Sequence, residues 1–126
     1  MGVSEMKRDP DVNRAMCPSR LVLEHVTSRW GVLVLAALLE RSYRFSELRR
    51  TVGGVSEKML AQTLQTLERD GFVHRDAKPV IPPRVDYSLT ELGREAAQQV
   101  WELARWTEHR VDAVRAAREA YDEART

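Results

Sequence analysis

The sequence lacks most of the residues from which disulfides, membrane spans and secretion signals are built. Among its 126 residues there is one cysteine, Cys17. A lone cysteine excludes a disulfide within the chain and suits a reducing compartment. No apolar run approaches the roughly 20 residues that cross a bilayer, and the polar N-terminus has no apolar signal segment. We therefore expect a cytoplasmic protein with no membrane partner.

The patterns of known catalytic sites are also missing. The three histidines, His25, His74 and His109, are far apart in the sequence. There is no cluster of metal ligands, no glycine-rich phosphate loop and no serine–histidine–acid arrangement in a supporting context. The sequence therefore predicts a protein that is not an enzyme and that carries no cofactor and no metal.

What the chain does have is enough length for one modest core and a charge balance that changes along it. The net charge is +1, yet residues 20–94 carry twelve basic and nine acidic side chains, and residues 95–126 carry five basic and seven acidic ones. The excess of basic over acidic side chains in residues 20–94 is small. It favours an anionic partner only if folding gathers the arginines on one face.

Two helices are predicted after a polar arm. Residues 1–16 are aperiodic, which is typical of a frayed arm or of a segment that clasps a second subunit. The Cys17-Pro18-Ser19 sequence predicts a helix start with Ser19 as the cap, and Gly31 is expected to break the chain before a buried helix over 32–39. The apolar stripe of the first helix is Leu21, Val22, Val26 and Trp30.

Two short helices joined by glycines come next. After a possible short strand within 41–45, Ser46 is predicted to cap a helix over 47–52 that Gly53-Gly54 ends. Ser56 is predicted to cap a second helix, which Gly71 ends. The apolar stripe of this second helix is Leu60, Leu64 and Leu67. Such a pair is typical of a helix-turn-helix.

The pattern then changes to that of a β-hairpin. A strand is predicted over 72–75, and a stiff loop over 76–84 contains Pro79, Pro82 and Pro83. A second strand follows, because Val85, Tyr87 and Leu89 alternate with polar residues, and Thr90 is predicted to cap a helix that continues to about Arg118 or beyond. The fold class is therefore mainly α with a small β-hairpin (α+β), a winged helix-turn-helix over 17–94.

The helix at 56–71 has the chemistry to read DNA. An α-helix fits the major groove, where amide, hydroxyl and basic side chains contact base edges. Opposite the leucines we expect base or phosphate contacts from Ser56, Lys58, Gln62, Thr63, Gln65, Thr66 and Arg69. Contacts with the DNA phosphate backbone are expected from the preceding helix, through Ser46, Arg49 and Arg50. In the wing they are expected from Lys78 and Arg84, and Arg75 adds positive charge there. An ordinary solvated helix face is the alternative, and the hairpin favours DNA.

An ordered series of motifs carries a family resemblance. It comprises Cys17-Pro18-Ser19-Arg20, Arg29-Trp30, Arg44-Phe45-Ser46-Glu47-Leu48-Arg49-Arg50, Val55-Ser56-Glu57-Lys58-Met59-Leu60, Leu64-Gln65-Thr66-Leu67-Glu68-Arg69-Asp70-Gly71 and Pro82-Pro83-Arg84-Val85-Asp86-Tyr87-Ser88-Leu89-Thr90-Glu91-Leu92-Gly93. The series, from Cys17 to about Trp106, resembles the HxlR-type transcription regulators of the MarR-like superfamily. The resemblance implies a homodimer that binds a double-stranded DNA operator in the cytoplasm. Members include repressors and activators, and some respond to electrophiles or oxidants through a cysteine near the N-terminus.

Cys17 occupies the position of that cysteine and has two interpretations. At a helix start the dipole favours the thiolate, which suits a redox or electrophile sensor. Alternatively it is a small buried apolar residue. The effector, a small molecule or an oxidant, stays open.

The last helix, over 95–126, is predicted to dimerise. Its apolar side chains recur at helical spacing, and the winged domain is already filled by the earlier helices. The predicted interface comprises Val100, Trp101, Ala104, Val111 and Val114, beside Ala97. The pair Trp101 and Trp106 lining a ligand pocket is the alternative.

Two other functions fit the same patterns. One is a MarR-type regulator of phenolic or small lipophilic ligands. The other is a winged helix that binds only protein and shows no duplex binding at any salt concentration.

Overall fold

The computed structural model describes residues 11–126, so the first ten residues of the predicted arm lie outside the described chain. Residues 11–16 form turns that lead into the first helix. The elements that follow are helix α1 (Pro18–Val26), helix α2 (Arg29–Glu40), strand β1 (Tyr43–Arg44), helix α3 (Phe45–Thr51), helix α4 (Glu57–Arg69), strand β2 (Val73–Lys78), strand β3 (Arg84–Leu89) and helix α5 (Glu91–Arg125).

The first two helices meet at a corner of 70°. The predicted break at Gly31 is wrong, because the break falls at Thr27-Ser28, where the Ser28 hydroxyl accepts from the Gly31 amide (3.1 Å). Gly31 lies inside α2 and is needed for close packing, since a Cβ there would collide with the His25 carbonyl oxygen. We name this segment, residues 25–29, the α1–α2 corner.

The start of α1 also differs from the prediction. Cys17 is the N-cap and Pro18 opens the helix, whereas Ser19 lies in the first turn and directs its hydroxyl to the Cys17 sulfur (2.9 Å). Leu21 and Val22 are exposed, and Trp30 belongs to α2. The predicted stripe is therefore not a core-facing surface of one helix.

The helix-turn-helix consists of α3 and α4. Ser46 is not the cap of α3, because the helix starts two residues earlier than predicted. Arg44 is the N-cap, and its amide donates to Glu47 Oε1 (2.9 Å). That bond lowers the pKa of Glu47. The predicted cap of α4 is confirmed, because the Ser56 hydroxyl accepts from the Met59 amide (3.1 Å). Gly54 (φ 86°) and Gly71 (φ 85°) occupy the left-handed region that glycine adopts without strain.

The wing is a β-hairpin within a three-stranded antiparallel sheet of order β1-β3-β2. Strand β2 extends to Lys78, so the loop covers 79–83 rather than 76–84. The reason is a register that pairs Ala77 with Val85 and Lys78 with Arg84, which continues the ladder up to the first proline. The buried Tyr43 of β1 pairs with the buried Tyr87 of β3 and joins the sheet to the core.

The core gathers side chains from α2, α3, α4, the sheet and the start of α5. Its largest fully buried side chains are Leu35, Leu48, Leu60, Leu64, Leu67 and Val34. The predicted α4 stripe is thus confirmed as the inner face of that helix. Helix α5 is capped by Thr90, whose hydroxyl accepts from the Gly93 amide (2.9 Å), and extends seven residues past the predicted Arg118.

Among the described residues, no single helix is long and apolar enough to cross a membrane. Helices α1 and α2 reach the required length only when taken together, across the 70° corner. Helix α2 places five residues in the core, among them Val34, Leu35 and Leu38.

Candidate nucleic-acid interface

Helix α4 presents a polar ridge to solvent. With its three leucines buried, the side chains on the far side of the helix are those of Lys58, Gln62, Gln65 and Arg69, all of which are exposed. Thr66 lies on one flank and is half-buried. This ridge has two amides and two cations, and it carries the hydrogen-bonding groups that base edges require.

Thr63 is turned further from the ridge than the sequence indicated. It is half-buried, and its hydroxyl donates to the Met59 carbonyl oxygen one turn earlier (2.8 Å). Its donor is therefore used within the helix. Ser56 is exposed, but its hydroxyl is engaged by the cap of α4.

A groove of about 500 Å³ separates the ridge from the wing. Its walls bring together residues that are distant in sequence, and they include Lys58, Gln62, Gln65, Glu68, Arg75 and Tyr87. Arg75 pairs in register with Tyr87 on the inner face of the sheet. The structure thus places the Arg75 charge beside α4 rather than at the wing tip.

A second groove, of about 260 Å³, lies on the other flank of α4, against the α1–α2 corner. From α4 it is lined by uncharged side chains, Met59, Gln62, Thr63, Thr66 and Leu67, and from the corner by His25 and Ser28. The sequence analysis did not include His25 or Ser28 in the site. No local pattern could reveal them, because the contact joins segments separated by about thirty residues or more.

His25 also fixes that corner to the end of α4. Its Nδ1 atom lies 2.5 Å from Oδ2 of Asp70, the C-cap residue of α4, and both side chains are largely buried. A carboxylate at the C-terminus of a helix opposes the helix dipole. The contact with an imidazole offsets that repulsion.

The cations of α3 are less available than the sequence suggested. Arg49 is paired with Glu57 in the first turn of α4 (3.2 Å). Arg50 and Ser46 are exposed on the same short helix. The Arg49–Glu57 pair joins the two helices of the helix-turn-helix, and both side chains are exposed.

The two cations nearest the wing tip are each paired with an aspartate on their own strand. Lys78 lies 2.6 Å from Asp76, and Arg84 lies 3.0 Å from Asp86. The first pair raises the pKa of Lys78 and lowers the pKa of Asp76, chiefly through the hydrogen bond between them. In the register Lys78 faces Arg84 and Asp76 faces Asp86. The outer face of the wing is therefore close to neutral.

Cys17 sits at the N-cap of α1, half-buried. The hydroxyl of Ser19 is the largest cause of a lowering of the Cys17 pKa to about 7, followed by the backbone of Asp11 and then by the backbone amides of Ser19 and Arg20. A thiol with that pKa is substantially ionised at neutral pH, and the thiolate is the nucleophilic form.

The predicted interface residues of α5 divide into two groups. Val100 is 5% exposed and lies in the core of its own protomer, so the prediction that it contacts a second subunit is corrected. The stripe does have a core to join, because Ala97 and Val100 pack inside the winged domain. Ala104 is half-buried, whereas Val111, Val114 and Trp101 are exposed.

Beyond Ala104, helix α5 has no buried side chain, although Arg105, Thr107 and Glu108 still line a groove beside α2. Every residue from 105 to 126 is exposed. Trp101 lines a groove of about 570 Å³ between α2 and α5, together with Leu33, Ala36 and Ala104. Trp106 is absent from that groove, because five residues of helix turn it about 140° away from Trp101. The two tryptophans do not form one cluster.

Within residues 11–126 there is no group of three or more histidine, cysteine, aspartate or glutamate side chains able to hold a metal ion.

Comparison with known proteins agrees with this geometry. The model of a family described as HxlR-like helix-turn-helix matches residues 25–115. The chain is 54% identical over 119 residues to the HTH-type transcriptional regulator YtfH of Escherichia coli strain K12, described as uncharacterized, and the match covers 94% of each chain.

Two solved structures have similar folds. One is a transcriptional regulator YtfH from Salmonella typhimurium, with a TM-score of 0.84 and 56% identity, covering 88% of this chain and 99% of that one. The other is the redox regulator HypR in its oxidized form, with a TM-score of 0.68 and 34% identity, covering 74% of this chain and 96% of that one. Such similarity fixes the winged-helix fold and the class of protein.

Proposed function

The chain belongs to the HxlR-like helix-turn-helix family of transcription regulators and is not an enzyme; from that premise we propose that it acts in the cytoplasm as a homodimer that binds a roughly palindromic duplex operator through α4. The observation that carries the proposal is the polar ridge of α4, which stands between two grooves and faces away from the core.

The ridge and its surroundings suit the two kinds of contact that operator binding needs. Lys58, Gln62 and Gln65 have side chains that can reach base edges in the major groove. Arg69, Arg75 and Arg50 lie around them as exposed cations, suited to phosphates. Arg49 is paired with Glu57 and Arg84 with Asp86, so each binds a phosphate only when the phosphate displaces that carboxylate.

The dimer is supported by the exposed half of α5. A helix of 35 residues is about 52 Å long, and its last 21 residues, from 105 to 125, are all exposed in the protomer. The apolar positions that continue the buried stripe of this helix are Ala104, Val111 and Val114. Exposed leucines and valines on α1 add to the uncovered apolar surface. To bind two half-sites one helical turn of DNA apart, such a dimer would need its two α4 ridges about 34–36 Å apart.

Selection from random DNA tests the proposal without knowledge of the operator. A duplex pool with a randomised 24-bp centre is incubated with the full chain, and bound duplexes are enriched and sequenced. We expect an enriched motif with two-fold symmetry. Fluorescence anisotropy against an enriched duplex is then measured across salt concentrations, and affinity should fall steeply, because each neutralised phosphate adds about 0.9 to the slope of log K against log salt.

The same measurements distinguish the competing functions. A winged helix that binds only protein would enrich no motif and bind no duplex at any salt concentration. A MarR-type regulator of a small lipophilic ligand would enrich a motif and release it on adding phenolic compounds. The α2–α5 groove of about 570 Å³ is the place where such a compound would fit.

A redox signal is a second candidate, favoured by the Cys17 environment. The thiol has a pKa lowered to about 7 beside Ser19, and HypR, a redox regulator, has the same fold. In this proposal a peroxide takes two electrons from the Cys17 thiolates of two subunits, giving an intersubunit disulfide and water. A Cys17→Ser variant should bind the enriched duplex normally and keep binding it after oxidation. Loss of duplex binding by this variant on oxidation would exclude Cys17.

A further inference from the structure

We propose that the α1–α2 corner is a second DNA-backbone contact, with Arg29 as its phosphate-binding residue. The inference rests on the proposed function, since it concerns how the duplex is held once α4 is in the major groove. It identifies a contact outside the helix-turn-helix and the wing.

The need for such a contact comes from the two flanks of α4. A helix in the major groove, about 12 Å wide, has a phosphate backbone on each side. On the flank towards the wing, the lining includes the cations Lys58 and Arg75. On the flank towards the corner, α4 contributes Met59, Gln62, Thr63, Thr66 and Leu67, none of which is charged. Within the described residues, the corner offers an exposed cation for that backbone, Arg29.

Two observations place Arg29 at that edge. Ser28, the preceding residue, lines the corner-side groove together with Gln62 and Thr66. The Arg29 guanidinium stacks over the Trp30 ring at 4.9 Å, and the tip of that ring lies 3.8 Å from where a Cβ on Gly54 would stand. Gly54 is in the turn just before α4. The Trp30 ring therefore connects the Arg29 guanidinium to the turn that precedes the N-terminus of α4.

The chemistry of the corner favours Arg29 over its neighbours. The Ser28 hydroxyl accepts from the Gly31 amide and donates to the His25 carbonyl oxygen, so the cap of α2 uses it fully. The His25 imidazole is engaged by Asp70. Arg29 is exposed, and within residues 11–126 it has no carboxylate at ion-pair distance. Stacking on an aromatic ring orders a guanidinium and leaves its N–H edge available to a phosphate.

The His25–Asp70 contact has a positioning role here. It joins the last turn of α1 to the C-cap of α4, and so fixes the corner, with Arg29, at a set distance from the α4 ridge. Because phosphate contacts set the register of a protein on a duplex, a corner held rigidly against α4 also helps to orient that helix in the groove.

The test compares salt slopes for a fluorescein-labelled 30-bp mixed-sequence duplex and for a duplex enriched by selection. Arg29→Gln should weaken binding to both duplexes by about three- to tenfold at ~0.1 M salt and lower the slope by about 0.9. Arg29→Lys should keep the slope. The matched control is Arg125→Gln, since Arg125 is also stacked on an aromatic ring, that of Tyr121 at 4.7 Å, but lies at the far end of α5.

The outcomes separate this inference from the proposed function. If the unaltered chain binds neither duplex, both fail. If it binds and Arg29→Gln keeps the full slope, the corner contact alone is wrong. A loss of preference for the enriched duplex would mean that Arg29 reads a base, which overturns its assignment to phosphate. The thermal unfolding midpoint of Arg29→Gln should equal that of the unaltered chain, because the side chain is outside the core.

Discussion

His25 Nδ1 lies 2.5 Å from Asp70 Oδ2, across 45 residues of sequence. The contact joins the last turn of α1 to the residue that ends α4. Helix α1 contributes no fully buried side chain to the core, and Val26 is the residue of α1 that packs against the core in part. The His25–Asp70 pair is therefore a principal attachment of α1 to the winged domain.

A double-mutant cycle should measure that attachment. His25→Ala, Asp70→Ala and the double variant are unfolded in urea, and the free energies of unfolding should give a coupling energy of about 1 kcal/mol, since both side chains are less than a third exposed. The exposed Arg20–Glu24 pair on the same helix, at 3.4 Å, is the control and should give a coupling close to zero. Equal coupling in the two cycles would contradict a special role for His25.

Gly93 should be intolerant of a side chain. A Cβ at this position would collide with the Phe72 carbonyl oxygen, where the start of α5 crosses the start of the wing. Gly93→Ala should lower the free energy of unfolding by about 1–3 kcal/mol through forced backbone movement. Gly53→Ala is the control, because a Cβ on Gly53 meets nothing within 4 Å, and it should change stability by less than about 0.5 kcal/mol. A stable Gly93→Ala protein would refute the packing described here.

The reactivity of Cys17 should follow a pKa of about 7. The rate of alkylation by iodoacetamide, measured from pH 5.5 to 9.5, should rise with a midpoint near that value, because the thiolate forms as pH increases through the pKa. Ser19→Ala removes the hydroxyl that contributes most to the shift and should move the midpoint upward. Ser46→Ala, an exposed serine on α3, is the control and should leave it in place. An unmoved midpoint in Ser19→Ala would count against the hydrogen bond.

A charge on the exposed stripe of α5 should separate the subunits. Val111→Glu places a carboxylate among apolar side chains of the proposed interface, and sedimentation should show a shift from dimer to monomer. Ala113→Glu adds the same charge about 160° around the helix and should leave the dimer intact. Both positions are exposed in the protomer, so folding should be unaffected. A monomeric unaltered protein, or equal dissociation of the two variants, would remove α5 from the interface.

Gln62 and Arg84 should affect DNA binding in different ways. Gln62→Ala should relax specificity at one base pair, because amides bind adenine edges in pairs of hydrogen bonds. Arg84→Ala should weaken all duplexes alike and lower the salt slope by about one. Asp86→Asn releases Arg84 from its pair and should strengthen binding to all duplexes. Loss of specificity from Arg84→Ala would show that the recognition face is misassigned.

Local sequence patterns were sufficient for most of the fold. The leucine spacing in α4, the Ser56 and Thr90 caps and the glycines after α3 and α4 gave the right elements, because these features act within one or two helical turns. Patterns failed where two interpretations shared the same local signal. The pattern around Gly31 predicts a break, yet a glycine inside a helix also permits close approach of another segment, here the His25 carbonyl.

The candidate site depended far more on tertiary structure. The sequence supplied Lys58, Gln62, Gln65 and Arg69 as one face, because helical periodicity is set by backbone geometry alone. Which neighbours flank that face was decided by packing over long sequence separations. The wing brings Arg75 to one flank, and the α1–α2 corner brings His25 and Ser28 to the other.

The sequence by itself thus determined the helices, the hairpin, the polar face of α4 and the family resemblance, since each depends on short-range periodicity, capping or motif order. Only the tertiary structure decided that Val100 is core, that the wing cations are paired with aspartates, and that the corner lies beside α4. The physical reason is that burial and ion pairing depend on distances between segments, and no local pattern of residues specifies those distances.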